Sequence, residues 1–215
     1  MSTVERRSTS ERPTTMVPPL LPLVLLESVR AHDRPREVLE DEDLTASLPR
    51  RLGLTGVVQS QIRRYEEAER KGRSVPLDEV RDLFRLILRR PDAEPILRDS
   101  GIRLAQRQYR RRTAAMVRLL GFLPGVAAGA VRRATRSLAR RTACGARVEV
   151  AGWPLELRLR GAITAEVDPG GTACVLYTGA IEELLGLYLR RRPTVEHRRC
   201  ASRGDDRCIW TWSET

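Results

Sequence analysis

Thr194-Val195-Glu196-His197-Arg198-Arg199-Cys200-Ala201-Ser202-Arg203-Gly204-Asp205-Asp206-Arg207-Cys208-Ile209-Trp210-Thr211-Trp212, close to the end of the chain, reads as a hairpin. The runs 194–201 and 208–212 are strand candidates, and Arg203-Gly204-Asp205-Asp206 between them is turn chemistry. Pairing the runs brings the thiols of Cys200 and Cys208 together. Three of the four cysteines and one of the two histidines fall in the last 42 residues, spaced Cys174-x22-His197-x2-Cys200-x7-Cys208. Three thiolates and an imidazole make a closed tetrahedral zinc set, which stabilises structure and leaves no position for a reactive water. The spacing alone leaves other readings open: Cys200 and Cys208 as small core residues, or as a disulfide in an exported protein.

Working back from the hairpin, 179–190 reads as a helix with Ile181, Leu184, Leu185 and Tyr188 on one side. Before it, 147–150 and 155–160 alternate in the manner of strands. The stretches 163–167 and 172–177 read as two more, divided by the turn Asp168-Pro169-Gly170-Gly171. Cys174 then ends the strand before the helix and reaches the corner occupied by Cys200 and Cys208. Cys144 is a packed thiol at the entry to this sheet.

The part before Cys144 reads as helices. One starts near Pro22 and sends Leu23, Leu26 and Val29 into the core. Others cover 54–71, 76–89 (with Ser74 as N-cap and Leu77, Val80, Leu83, Phe84 and Ile87 as one stripe), about 92–112 and about 114–141, the last broken near Gly121 to Gly125. The expected organisation is a disordered tail over 1–18, a helical region over 19–143, and a zinc-stapled α+β region over 144–215 of the same domain. The fold class is α+β: N-terminal helices packed on a mostly antiparallel sheet with a C-terminal helix and hairpin. The apolar stretch 16–26 mimics a secretion signal, but Pro18, Pro19 and Pro22 interrupt it and Glu27 follows, so a cytoplasmic protein is expected.

The basic excess is local. Of 39 Lys+Arg only Lys71 is lysine, and 12 arginines fall in 101–148, which contains no acid; the rest of the chain is nearly balanced. Arg132, Arg136 and Arg140 form one cationic face at helical spacing, and Arg103, Arg107 and Arg110 to Arg112 another. The stretch 114–131 is uncharged apart from Arg118. A solvated helix face and an anionic membrane surface both fit this pattern. Nucleic acid is disfavoured because no helix-turn-helix, zinc ribbon or aromatic RNA-reading motif accompanies the charge. An enzyme is not expected: there is no Gly-rich phosphate loop and no Ser/His/Asp grouping, and His32 is too isolated for a haem ligand.

The run Cys200 to Cys208, with Gly204-Asp205 inside it and Ile209-Trp210-Thr211-Trp212 after it, resembles the C-terminal signature of the 4-vinyl-reductase-type small-molecule-binding domain. The stretch Thr178 to Gly186 resembles that family's Gly-containing helix. The resemblance covers about 144–212. Related domains are the sensors of phenol- and toluene-responsive activators, and the fold is related to TRAPP subunits and haem-NO-binding domains. It implies a structural Zn2+ held by Cys174, His197, Cys200 and Cys208. The sensor relatives have Glu where this chain has His197, and Glu196 is the alternative oxygen donor. It also implies an apolar ligand pocket, for which Met116, Leu119, Phe122, Trp153, Val175 and Tyr177 are candidates, with a small hydrophobic or aromatic ligand. No DNA-binding or ATPase segment is expected in this chain, so signalling would pass through a protein partner, and dimerisation is common among relatives. The alternatives are a membrane-peripheral or protein-interaction module of TRAPP-like fold, or an accessory protein of tetrapyrrole and bacteriochlorophyll metabolism.

Overall fold

A computed structural model describes residues 15–33, 55–109, 115, 117, 119, 125–152, 155–189 and 194–212. Leu20 to Leu26 are apolar without a polar face, so the helix they form has no side to offer water. This helix, α1 (Leu20–His32), is accordingly central, with Leu20 through Leu26 all buried. Pro22 is tolerated because the first-turn N–H groups have no partner within the helix. Around α1 lie α2 (Thr55–Arg70), α3 (Leu77–Leu88), α4 (Ala93–Gln108) and α5 (Val126–Thr142).

Two residues assigned to the tail belong to the fold. Met16–Val17 forms β1, paired antiparallel with β2 (Val75–Pro76), and Val17 is buried. That pairing also displaces Ser74 from the expected capping role: α3 starts after Pro76, whose extended backbone ends β2, with no side-chain cap. The stripe Leu77, Val80, Phe84 and Ile87 is buried as its spacing predicts.

After α5 the chain builds a four-stranded antiparallel sheet in the order β3-β4-β6-β5. The strands are β3 (Arg147–Ala151), β4 (Glu156–Arg160), β5 (Val195–Arg199) and β6 (Cys208–Trp212). One face, carrying Val150, Leu157, Leu159, Val195, Trp210 and Trp212, is buried. The two stretches between β4 and the long helix are not the strands that the sequence predicts. Residues Ile163–Val167 form the short helix α6, Thr172–Cys174 form a 3-10 turn, and α7 runs over Val175–Leu189. For the second stretch Asp168 is the reason: its carboxylate accepts the backbone N–H of Gly170 (2.9 Å) and of Ala173 (2.6 Å) and so starts a helical turn where a strand was expected. Gly171, at φ +82°, makes the reversal that precedes it.

Helix α7 is apolar on nearly all sides and is the second central helix. The stretch Thr172–Leu189 is long and apolar enough to cross a membrane, and 56% of it is buried inside the fold. It crosses α4 at backbone contact: a Cβ on Gly101 would lie 2.0 Å from the Leu176 carbonyl oxygen, and one on Gly179 would lie 2.7 Å from that of Arg98. Polar contacts stitch the rim of this crossing: Arg98 forms an ion pair with Glu182, and the Gln106 side-chain amide donates to Glu183. One hydrophobic core joins residues of the helical and sheet regions. Among the described residues the architecture is α+β with two small antiparallel sheets.

Candidate metal centre

Strand alternation puts Val195 and His197 on one face of β5 and Glu196 on the other. Unbroken alternation would turn Cys200 away from His197, since three residues separate them. The register breaks between them: His197 pairs with Trp210, whereas Arg199 already pairs with Ile209. This bulge shifts the parity of the strand, and Cys200 follows it into the core on the same side as His197. Cys208 starts β6 on the buried face, in phase with Trp210 and Trp212. Cys174 arrives from the 3-10 turn at the head of α7, not from the end of a strand. The expected meeting of the thiols holds, although the element carrying one of them differs.

The sulfur of Cys174 lies 4.0 Å from that of Cys200 and 3.9 Å from that of Cys208. The ligand atoms of Cys174, His197, Cys200 and Cys208 all lie within 4.8 Å of one another, so the cluster could hold a metal ion. All three thiols are buried and all four cysteines of the chain are free. His197 stacks flat on Trp210, ring centroids 4.4 Å apart and planes 7° apart, which fixes its ring. Trp210 in turn donates Nε1–H to Thr178 Oγ1 at 3.2 Å and packs against Tyr177. The Nε2 atom of His197 is buried and has no hydrogen-bond partner among the described residues. An orphaned ring nitrogen is costly unless something binds it, and a cation coordinated there would satisfy it. Glu196, the alternative donor, faces outward opposite Thr211 and accepts from Arg198 Nε at 3.2 Å.

The surroundings favour negative sulfur at Cys208 alone. The Ala201 backbone N–H donates to Cys208 Sγ at 3.3 Å. The Cys208 thiol is held well below its ordinary range, first by the hydrogen bond from Cys174 and then, against burial, by His197 and Ala201. Cys174 is pushed up by the same hydrogen bond and by burial. With Cys208 as the ready thiolate, a cation arriving there would displace the shared proton of the pair.

Sequence reading missed the groups that hold the ligands. Asp205 Oδ2 accepts the Cys200 N–H at 2.7 Å and fixes the tight turn at Gly204 (φ +100°). The sequence presents Asp205 as turn chemistry and as part of the Gly204-Asp205 signature but not as the group that holds Cys200, although the habit of Asp to bond nearby backbone N–H groups is a usable signal. Gly171 closes the other side: a Cβ there would lie 3.0 Å from Cys200 Sγ. Thr164 Oγ1 lies 3.6 Å from Cys174 Sγ, a contact with no local sequence signal.

The remaining candidates add no ligand to this cluster. Tyr177 is fully buried against Trp210, Val175 is half-buried, and Leu119 is 75% exposed. Met116, Phe122 and Trp153 lie outside the described residues. His32 Nδ1 bonds the Ser28 carbonyl one turn back at 2.9 Å. Cys144 sits at the end of α5 in a left-handed turn (φ +49°), and burial pushes its thiol up to about 11. It is therefore protonated at neutral pH, and iodoacetamide should label it slowly at pH 7 and markedly faster above its raised ionisation. Equal labelling rates at pH 7 and pH 11.5 would contradict the buried position.

The chain was compared with protein-family models, with curated proteins and with solved structures, and none of them matches it.

Proposed function

We propose that Cys174, His197, Cys200 and Cys208 hold a structural zinc ion that staples the C-terminal hairpin to the head of α7. The observation that carries the reading is the cluster itself, with its orphaned imidazole nitrogen. Zinc–sulfur bonds of about 2.3 Å in a tetrahedron put the sulfurs about 3.8 Å apart, and the separations of Cys174 from Cys208 and Cys200, 3.9 and 4.0 Å, fit that spacing. Four protein ligands satisfy the ion, so its role is to fix the corner and not to activate water. Zinc requires deprotonated ligands; stability from the ion is present at neutral pH and is lost as pH falls and protons reclaim the thiolates and His197.

On this scaffold the protein works as a binding module. The resemblance of 144–212 to the 4-vinyl-reductase type supports a small hydrophobic or aromatic ligand and an output through a protein partner. The stapled corner suits that role: Trp210 and Tyr177 connect the ligand cluster to α7, so a molecule bound against α7 would act on a rigid element. Native mass spectrometry of the purified protein tests both parts. One zinc per chain together with an organic adduct of a few hundred daltons is the expected result; zinc with no adduct, and no shift in melting temperature across a panel of small aromatic and acyl compounds, would overturn the ligand.

The choice between the two neighbouring donors gives a separate prediction. His197→Ala should weaken zinc by more than the 10- to 100-fold that loss of an outer hydrogen-bonding partner typically costs. Glu196→Ala, on the outward face, should leave it within about twofold. Competition with a chromogenic chelator reads both, and the opposite ranking would move the fourth ligand to Glu196.

A further inference from the structure

The zinc corner does not use the basic segment. Helix α5 carries Arg132, Arg133, Arg136, Arg140 and Arg141 and no acidic residue. Its buried side is Val131, Ala134, Thr135, Leu138, Ala139 and Thr142. All five arginines are exposed. Two have other work: Arg141 pairs with Glu69 at 2.6 Å, and Arg136 donates to the Val150 carbonyl at 3.0 Å. Arg132, Arg133 and Arg140 have no acidic partner among the described residues. Residues 132, 136 and 140 are one turn apart and 133 is their neighbour, so these guanidinium groups share one side of the helix.

That side is not purely polar. Towards the N-terminal end of α5, Gly125, Gly129 and Ala130 join Arg132, Arg133 and Arg136 in lining an open groove of about 340 Å³. Further upstream Leu119 is 75% exposed, the most exposed large apolar side chain among the described residues. Arg118 is the only charge from 113 to 131. Cations beside small apolar surface, with an exposed leucine six positions before Gly125 in the sequence, match a lipid interface: phosphate headgroups meet guanidinium groups while apolar side chains enter the acyl boundary. A nucleic acid would satisfy the charges but has no use for Leu119.

We infer that the exposed face of α5, with Leu119, docks the protein on an anionic lipid membrane. The occupant is the bilayer surface, and the protein lies on it without crossing. This inference is independent of the zinc and ligand readings.

The full-length, metal-loaded protein should float with vesicles of equimolar phosphatidylcholine and phosphatidylglycerol, and not with phosphatidylcholine alone. Binding should fall steeply from low to high salt. Each basic group near such a surface contributes roughly a five-fold factor in binding, so Arg132→Glu/Arg133→Glu/Arg140→Glu should reduce it by about a hundredfold or more. Arg63→Glu/Arg70→Glu/Arg73→Glu changes net charge equally on exposed positions of α2 and the turn after it, and should retain most of the binding. Leu119→Ser should weaken binding several-fold without altering its salt dependence. The proposal is overturned by equal binding to neutral vesicles, by equal losses in the two triple variants, or by tighter binding to duplex DNA or RNA than to the anionic vesicles at matched salt.

Discussion

Cys208→Ser is expected to release the zinc and to lower the melting temperature by about 8–16 °C, from the linkage of metal binding to folding. At free zinc a thousandfold above its dissociation constant, a ligand-binding folded state gains about 4 kcal/mol, and for a chain of this size each kcal/mol is worth about 2–4 °C. Cys208 is the position of largest expected effect. It is fully buried on β6, between β4 and β5. It accepts the Ala201 N–H and faces Cys174 across 3.9 Å. Serine there removes a metal bond and places a hydroxyl among thiols. Chelation of the native protein should produce the same thermal shift without any change of packing, which separates metal loss from a local substitution defect. Hydrogen exchange should rise at 172–174 and 195–212 and much less in α1 and α4. Cys144→Ser, outside the cluster, should keep its zinc. Unchanged metal content and melting temperature in Cys208→Ser would remove the stapled corner.

The hairpin, the alternating strands β3 and β4 and the amphipathic helix α3 were legible because each carries its own period. Val150, Leu157 and Leu159 are buried and Arg158 and Arg160 face away from the core, as the alternation says. The zinc set was legible as a list of residues and not as a geometry. Nothing in His197-x2-Cys200 announces a bulge, yet without it the imidazole and the thiol would face opposite sides of the sheet. The stretch 163–177 was misread for a related reason. Ile163, Val167 and Val175 favour strands locally, but the Asp168 carboxylate captures two backbone N–H groups after it and turns the chain helical from Thr172 on. The short β1–β2 pair was illegible because two residues cannot display a period. Gly179 was noted in the sequence as part of a resemblance; its physical reason, the Arg98 carbonyl pressed against it, lies 81 residues away in the chain.

That close crossing makes Gly101→Ala the second large expected effect. The added Cβ would sit 2.0 Å from the Leu176 carbonyl oxygen and 2.8 Å from the Ala180 nitrogen, against the hydrogen-bonded turn that those two atoms form in α7. Neither is the end of a flexible side chain, so relief requires the helices to separate. Separation would loosen Ala105, Ala180 and Leu176, which are fully buried at present. Overpacking of a rigid site costs about 1–3 kcal/mol and occasionally more, and backbone against backbone belongs at the upper end. A second consequence follows from position. Leu176 is two residues past Cys174, so pushing α7 away from α4 also drags a metal ligand, and zinc affinity should fall together with stability. Gly129→Ala is the matching control: it lies in α5 with no described atom within 4 Å of its Cβ position, and alanine there should be neutral or stabilising by about 0.5–1 kcal/mol. Urea denaturation and chelator competition on the two variants read both effects. If Gly101→Ala stays within about 0.5 kcal/mol of the parent, the range of an ordinary surface substitution, then α4 and α7 do not cross at backbone contact. If it is destabilised with unchanged zinc affinity, the head of α7 does not transmit core strain to the metal centre.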